Sequence, residues 1–188
     1  MRRVVGAYLL SAIILFLPGA NSVHAQERPV TPPVADRTND HRSVDDVLSA
    51  LYEVISGPPG YAVDMDRLRK LFVTGARLTA VHRNKERQYV VEPLSLADFM
   101  ARAWQGPRKE GFFEREIARR TEEFGHITHV FSTYETRRAP GDAKAFQRGV
   151  NSIQLVNDGS GWKVLSLLWD SERPDNPIPS KYLPAAGH

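Results

Sequence analysis

Cysteine is absent from all 188 residues. That excludes disulfides, thiolate nucleophiles, Cys-ligated zinc and iron–sulfur clusters. No Gly-rich phosphate loop or dinucleotide fingerprint occurs, and Ser132 and Ser166 lack the Gly-x-Ser-x-Gly setting of an activated nucleophile. An excess of one charge is missing too. The chain carries 25 Lys and Arg against 22 Asp and Glu, and Arg2 and Arg3 supply two of the basic residues, so the remainder balances at 23 to 22, a net of +1. Nothing in that balance calls for nucleic acid or an anionic membrane. What is present is an ordinary globular composition, 41% apolar, at a length that suits one domain with tails.

The first 25 residues differ from the rest. Arg2 and Arg3 precede an almost wholly apolar run from Val4 to Leu17, then Pro18-Gly19, then Val23-His24-Ala25 with small residues where a signal peptidase cuts. This reads as a signal peptide over 1–25, cleaved before Gln26. A stable membrane anchor fits less well, since spanning takes roughly 20 apolar residues. The expected location is periplasmic or secreted, where a Cys-free chain has no stray thiol to oxidise.

Residues 26–42, with Pro29, Pro32 and Pro33, read as a disordered Pro-rich linker. A domain over 43–172 follows. Ser43 is placed to cap a helix from Val44, with Asp45 and Asp46 in its first turn and Val47, Leu48, Leu51, Tyr52 and Ile55 at helical spacing. Asp64 caps a second helix, Ala76 to His82 alternates as a strand, and Pro93 or Ser95 opens a third helix through Trp104. Phe112 to Phe124 is ambiguous in period. His126–Glu135, Phe146–Val156 and Trp162–Asp170 read as strands, with Asn157-Asp158-Gly159-Ser160-Gly161 as a hairpin loop. Helices first and antiparallel strands after give an α+β class. From Arg173 to the end, four prolines predict an extended C-terminal tail.

Three stretches carry a resemblance: Asp64-x-Asp66-x-Leu68-x-x-Leu71-Phe72-x-x-x-Ala76-x-Leu78, Gly125-x-Ile127-x-His129-Val130-Phe131-Ser132-x-Tyr134-Glu135, and Arg148-Gly149-x-Asn151-Ser152-Ile153-Gln154-Leu155, completed by Gly161-Trp162-Lys163-Val164 and Trp169. The arrangement resembles the NTF2-like superfamily, also called SnoaL-like or ketosteroid-isomerase-like, over about Val44 to Glu172. The tail from Asn176 to Leu183 resembles that of a secreted bacterial subgroup. The resemblance implies a cone-shaped fold, N-terminal helices packed in a curved antiparallel sheet around a pocket, commonly a homodimer, and it also favours strand over Phe112–Phe124. It implies no cofactor and no particular reaction. By comparison with ketosteroid isomerases, Tyr52 takes the place of the oxyanion-binding tyrosine, while Ala80 stands where the catalytic aspartate would be. His82, two residues on along the same strand face, is a candidate substitute base, the plain alternative being an exposed strand-end histidine before Arg83-Asn84-Lys85.

Register supplies the other candidates. Pairing Val156 with Trp162 sets Asn151 opposite Leu167, puts Gly149, Asn151, Ile153, Leu155, Leu165, Leu167 and Trp169 on one apolar face, and pairs Arg148 with Asp170, worth ~0.5 kcal/mol. Pairing Glu135 near Gln147 puts Ile127, His129, Phe131 and Thr133 on that same concave face. His129 and Asn151 would then be polar groups in an apolar hollow, bonded to each other, to water or to a ligand, because an unpartnered buried polar group costs about 1–3 kcal/mol. A satisfied core histidine is the plain alternative. No metal site is expected, as His126 and His129 point to opposite faces. Glu114 and Glu116 share a strand face, either as a carboxylate pair or as a solvated face paired with Arg115, Arg119 or Arg120.

The sequence therefore predicts binding of a small, partly apolar molecule, with Asn151, Trp169 and Phe131 as ligand contacts and Tyr52, His82 and His129 as catalytic candidates. One alternative is a cofactor-independent isomerase or lyase with His129 or His82 as base and Tyr52 or Asn151 holding an oxyanion. The other is a non-catalytic dimeric scaffold, joined through the face bearing Gln154 and Ser166, with the pocket closed.

Overall fold

A computed structural model of the chain describes residues 40–103, 106 and 108–185. The expected signal peptide, nearly all of the expected linker, and the Trp104 end of the third helix lie outside these residues. Asp40 and His41, within the segment expected to be linker, are docked: Asp40 accepts Arg67 Nε at 2.8 Å, and the His41 carbonyl accepts the Trp162 amide at 2.8 Å.

Helix α1 spans Val44–Ile55, and Ser43 caps it by accepting the Asp46 amide at 3.1 Å. Helix α2, Met65–Lys70, is capped by Asp64 through the Arg67 amide at 2.9 Å. Strand β1 (Phe72–Arg83) and strand β2 (Tyr89–Ser95) pair antiparallel and lead into helix α3, Leu96–Ala103. Strands β3 (Phe113–Phe124), β4 (Ile127–Arg137), β5 (Gln147–Asn157) and β6 (Trp162–Ser171) follow as an antiparallel run. They form one curved six-stranded sheet in the order β2-β1-β6-β5-β4-β3. Every pairing is antiparallel except β1 with β6, which is parallel. This is the expected α+β class. The sequence reading contained no β2, because Pro93 signalled a helix start. On an edge strand the missing N–H of proline costs no ladder bond.

The apolar faces of α1 and α2 (Val47, Leu48, Leu51, Val54, Leu68) meet Val130, Ile153, Leu155 and Val164 from the sheet. This core fills one end of the concave side. The other end, where β1, β4 and β6 finish and β3 and β5 begin, stays open.

Two expected registers are off. Glu135 pairs with Arg148, not Gln147. Because side chains alternate, one residue of slip moves a whole strand to the other face. Thr128, Val130, Ser132, Tyr134 and Thr136 face the helices, and His129, Phe131 and Thr133 face away. Asn151 pairs with Trp169, and a bulge at Leu165 leaves that side chain on the surface, 46% exposed. Asn151, Ile153, Leu167 and Trp169 keep the concave face expected of them. The expected Arg148–Asp170 pair is replaced: Arg148 Nε donates to Glu172 at 2.7 Å, and Asp170 accepts Arg173 at 2.6 Å.

The C-terminal segment is not a free tail. Its Asp175 pairs with Arg83 at 2.5 Å, and Ile178 is buried. A short 3-10 turn, Ser180–Tyr182, then packs on the outer face of β3 and β4. There Thr133 Oγ1 donates to the Tyr182 carbonyl at 2.6 Å, and the Tyr182 ring stacks on Phe131 at 5.4 Å.

Candidate functional site

The open end of the cone is a cavity of about 830 Å3. Leu51, Ile55, Leu68, Leu78, Phe99 and Leu167 make apolar walls, and Trp169 and Ala80 complete them. Register sets these neighbours: Ala80 of β1 lies beside Trp169 of β6, which lies beside Asn151 of β5, which lies beside Ser132 of β4. Phe99 of α3 holds the Trp169 indole edge-on at 5.6 Å.

The polar groups converge on Glu114. Ser56, just past α1, fixes the carboxylate's backbone. Its Oγ donates to the Tyr52 carbonyl at 2.7 Å and accepts the Glu114 amide at 2.9 Å, so the end of α1 and the start of β3 are held together. Gly57 and Phe112 exchange both backbone bonds just before it, at 2.7 and 2.9 Å. Gly57 must be glycine, since a Cβ there would lie 2.2 Å from the Tyr61 ring.

The Glu114 side chain is partly exposed, and the surface it keeps lines the cavity. Burial pushes its pKa up to about 7. The Thr136 hydroxyl, the Arg108 charge and the Asn151 amide oppose that shift without cancelling it. Thr136 Oγ1 donates to Glu114 at 3.2 Å.

Beside it runs a directed chain of hydrogen bonds. Ser132 donates its only proton to Glu116. Tyr52 Oη, 2.7 Å from Ser132 Oγ, must therefore be the donor in that pair, and it accepts Asn151 Nδ2 at 3.1 Å. Glu116 is held by Arg119 at 2.7 Å. The order Asn151 to Tyr52 to Ser132 to Glu116 leaves the tyrosine proton committed inside the protein. Burial, then the Glu114 charge, raises the Tyr52 pKa above its ordinary value.

Tyr134 is different. Its Oη lies 3.4 Å from both Ser171 Oγ and Gln147 Nε2, long for such bonds. Burial first and Glu114 second push its pKa up to about 12. Its loosely held hydroxyl faces the cavity, diagonal to Glu114 across the β3–β4 pair.

At the opening, Arg108 donates from Nη1 to the Ile55 carbonyl at 2.6 Å and lies 4.2 Å from the Phe112 ring centre. Burial lowers its pKa to about 10. Arg138, 3.8 Å over the Phe146 ring, pairs with Glu110 at 3.0 Å. No group of three His, Asp or Glu side chains clusters as metal ligands among the described residues.

The structure thus brings together Tyr52, His82, Asn151 and Trp169, all of which line the cavity. It does not bring His129 or Phe131 to them. His129 Nε2 lies 2.9 Å from Ser152 Oγ on the outer face, edge-on to Phe131, in a shallow depression closed by Tyr182 and Lys181. The expectation that His129 and Asn151 share one hollow is overturned by the one-residue slip of β4. Nor are Glu114 and Glu116 a solvated face: Glu116 pairs with Arg119 as expected, but both side chains point inward. Tyr134, Arg108 and Glu114's central position were missed. The inward alternation of Glu114 was the available signal.

No family model matches the chain, and no curated protein matches it. Solved structures do. An NTF2-like protein of unknown function from Shewanella baltica is 15% identical, with a TM-score of 0.44, covering 69% of this chain and 90% of its own. A protein of unknown function with a cystatin-like fold from Nostoc punctiforme is 11% identical, with a TM-score of 0.49, covering 71% and 96%. An NTF2-like protein of unknown function from Methylobacillus flagellatus is 13% identical, with a TM-score of 0.44, covering 70% and 95%. At these identities, with every TM-score below 0.5, the chemistry of the cavity has to be argued from its own residues.

Proposed function

We propose that this protein binds a small, partly apolar molecule in the cone. The observation that carries the reading is the cavity itself: apolar walls enclosing a few convergent polar groups, one of them a carboxyl with a displaced pKa. Titration with the neutral, apolar fluorophore N-phenyl-1-naphthylamine tests it. Saturable enhancement at one probe per chain is expected, and Ala80→Phe, which fills the cavity wall, should abolish it. No enhancement would remove the cavity as a binding site.

One observation favours a catalytic second reading. A carboxyl that titrates near neutrality beside a loosely held tyrosine hydroxyl suits proton transfer next to a carbonyl. Glu114, not His129, is then the base. It takes the proton as the C–H bond breaks, the electron pair moves to the carbonyl oxygen, Tyr134 donates a hydrogen bond to that oxygen, and Glu114 returns the proton at another carbon. Only the ionised base works, so turnover rises as pH passes upward through about 7. A screen of unsaturated ketones at pH 6 and 8 that finds no Glu114-dependent turnover leaves a binder.

The leader-like residues before Gln26 support export, and N-terminal sequencing of the mature protein would show Gln26 first. A homodimer is proposed through the outer sheet face. Leu165 and Leu168, 46% and 41% exposed, support it, and light scattering gives the mass.

A further inference from the structure

The rim of the cavity is rich in cationic side chains, whereas the interior carries the Glu114 carboxyl. Among the described residues, Arg83, Arg108, Lys109 and Arg138 line the rim, together with Glu110. They come from separate segments: the end of β1, the loop before β3 and the loop after β4. The sheet register brings them to one end of the cone. Two contacts show how they are held. Arg83 is tied to Asp175, and Arg138 lies across Phe146 while meeting Glu110. The excess of positive charge stands at the edge of apolar walls, where an ionic contact is less screened than on open surface. Deeper in, few groups are left to solvate an anionic head: Tyr52 donates to Ser132, and the Asn151 amide donates to Tyr52 and faces the Glu114 carboxyl.

We propose that the ligand class is an amphipathic carboxylate, its apolar body against Leu78, Leu167 and Trp169 and its anionic head at Arg108 and Lys109. This rests on the cavity-binding reading above and adds the polarity and orientation of the ligand. Apolar burial supplies most of the affinity. The head group decides which amphiphiles are accepted, because a cationic head would meet Arg108 and Lys109, while Arg83 and Arg138 are already paired with Asp175 and Glu110.

Displacement of N-phenyl-1-naphthylamine by decanoate, decanol and decyltrimethylammonium at pH 7.5 tests this, all three below their aggregation concentrations. Decanoate is expected to displace the probe at about tenfold lower concentration than decanol, and the cation least well. Lys109→Gln should weaken decanoate several-fold and leave decanol unchanged, and Arg108→Gln should weaken decanoate more than it weakens decanol. The decanol value shows that the variant is folded, and Lys109 is exposed enough to change safely should Arg108→Gln unfold the chain. Equal affinity for decanoate and decanol, or a preference for the cation, overturns the proposal, as does a failure of all three to displace a probe that still binds. If the probe itself does not bind, the cavity reading falls along with it.

Discussion

Glu114 and Glu116 stand two residues apart on one face of β3 and differ because their neighbours differ. Glu116 has Arg119 at 2.7 Å and the Ser132 hydroxyl. Glu114 lies in the cavity wall, with Thr136 donating to it and the Asn151 amide and the partly buried Arg108 charge favouring its ionised form. Its pKa near 7 against 4.5 in the unfolded chain means the folded state holds the proton more tightly. The stability this contributes is full below about 4.5 and is lost as pH rises through about 7. The loss is on the order of 3 kcal/mol at most. Glu114→Gln cannot ionise, so urea denaturation at pH 5 and pH 8.5 should show the wild type losing more stability than the variant over that interval. Parallel losses would mean that Glu114 titrates as an ordinary carboxylate.

At the scale of elements, the site depends on how β4, β5 and β6 lie against each other. Gly149 is the tightest point: a Cβ there would meet the Asp170 carbonyl and Tyr134 Oη, each at 2.5 Å. Backbone on one side and a ring packed in the cone on the other leave little room to yield. Gly149→Ala should therefore cost about 1–3 kcal/mol and shift the Tyr134 hydroxyl, lowering chemical denaturation midpoints and changing probe affinity together. A neutral result would place slack in the β5–β6 pair. The same strands show what was legible in the sequence. The caps at Ser43 and Asp64, the strands β4, β5 and β6 and the concave set Asn151, Ile153, Leu167 and Trp169 could be read from residue types and alternation, whereas β3 is ambiguous in period and is favoured as a strand only by the family resemblance. The facing of β4 could not. Its inward face carries Thr128, Ser132 and Thr136, whose hydroxyls donate to Glu123, Glu116 and Glu114 of β3, and its outward face carries Ile127 and Phe131. Hydrophobic alternation pointed the wrong way because hydroxyls bonded to β3 carboxylates stand on the inner face. The bulges at Ile117 and Leu165 were invisible for a related reason: each shifts the count by one without a glycine or proline to mark it.

Across the whole molecule, the sheet separates two surfaces that the sequence had merged. On one side is the cavity. On the other, the C-terminal segment returns over β3 and β4, anchored by Thr133 and Arg120 to the Tyr182 and Lys181 carbonyls at 2.6 and 3.1 Å and by the Phe131–Tyr182 stack. The segment explains why β4 can place a phenylalanine outward: Tyr182 covers it, so its burial contributes to stability without entering the core. Tyr182→Ala removes that cover and should cost about 1–2 kcal/mol, the size of an aromatic pair with its buried area. The cavity lies across the sheet, so probe affinity should stay within twofold. His129→Ala belongs to the same test. Its ring touches Ser152 and Phe131 on the outer face, and its loss should likewise leave the probe untouched, whereas Asn151→Ala, which strips Tyr52 of its amide donor, should not. A fall in probe affinity on changing either outer residue would show that the two faces are coupled through β4, and the dimer proposed on the outer face would then have a route by which to act on the cavity.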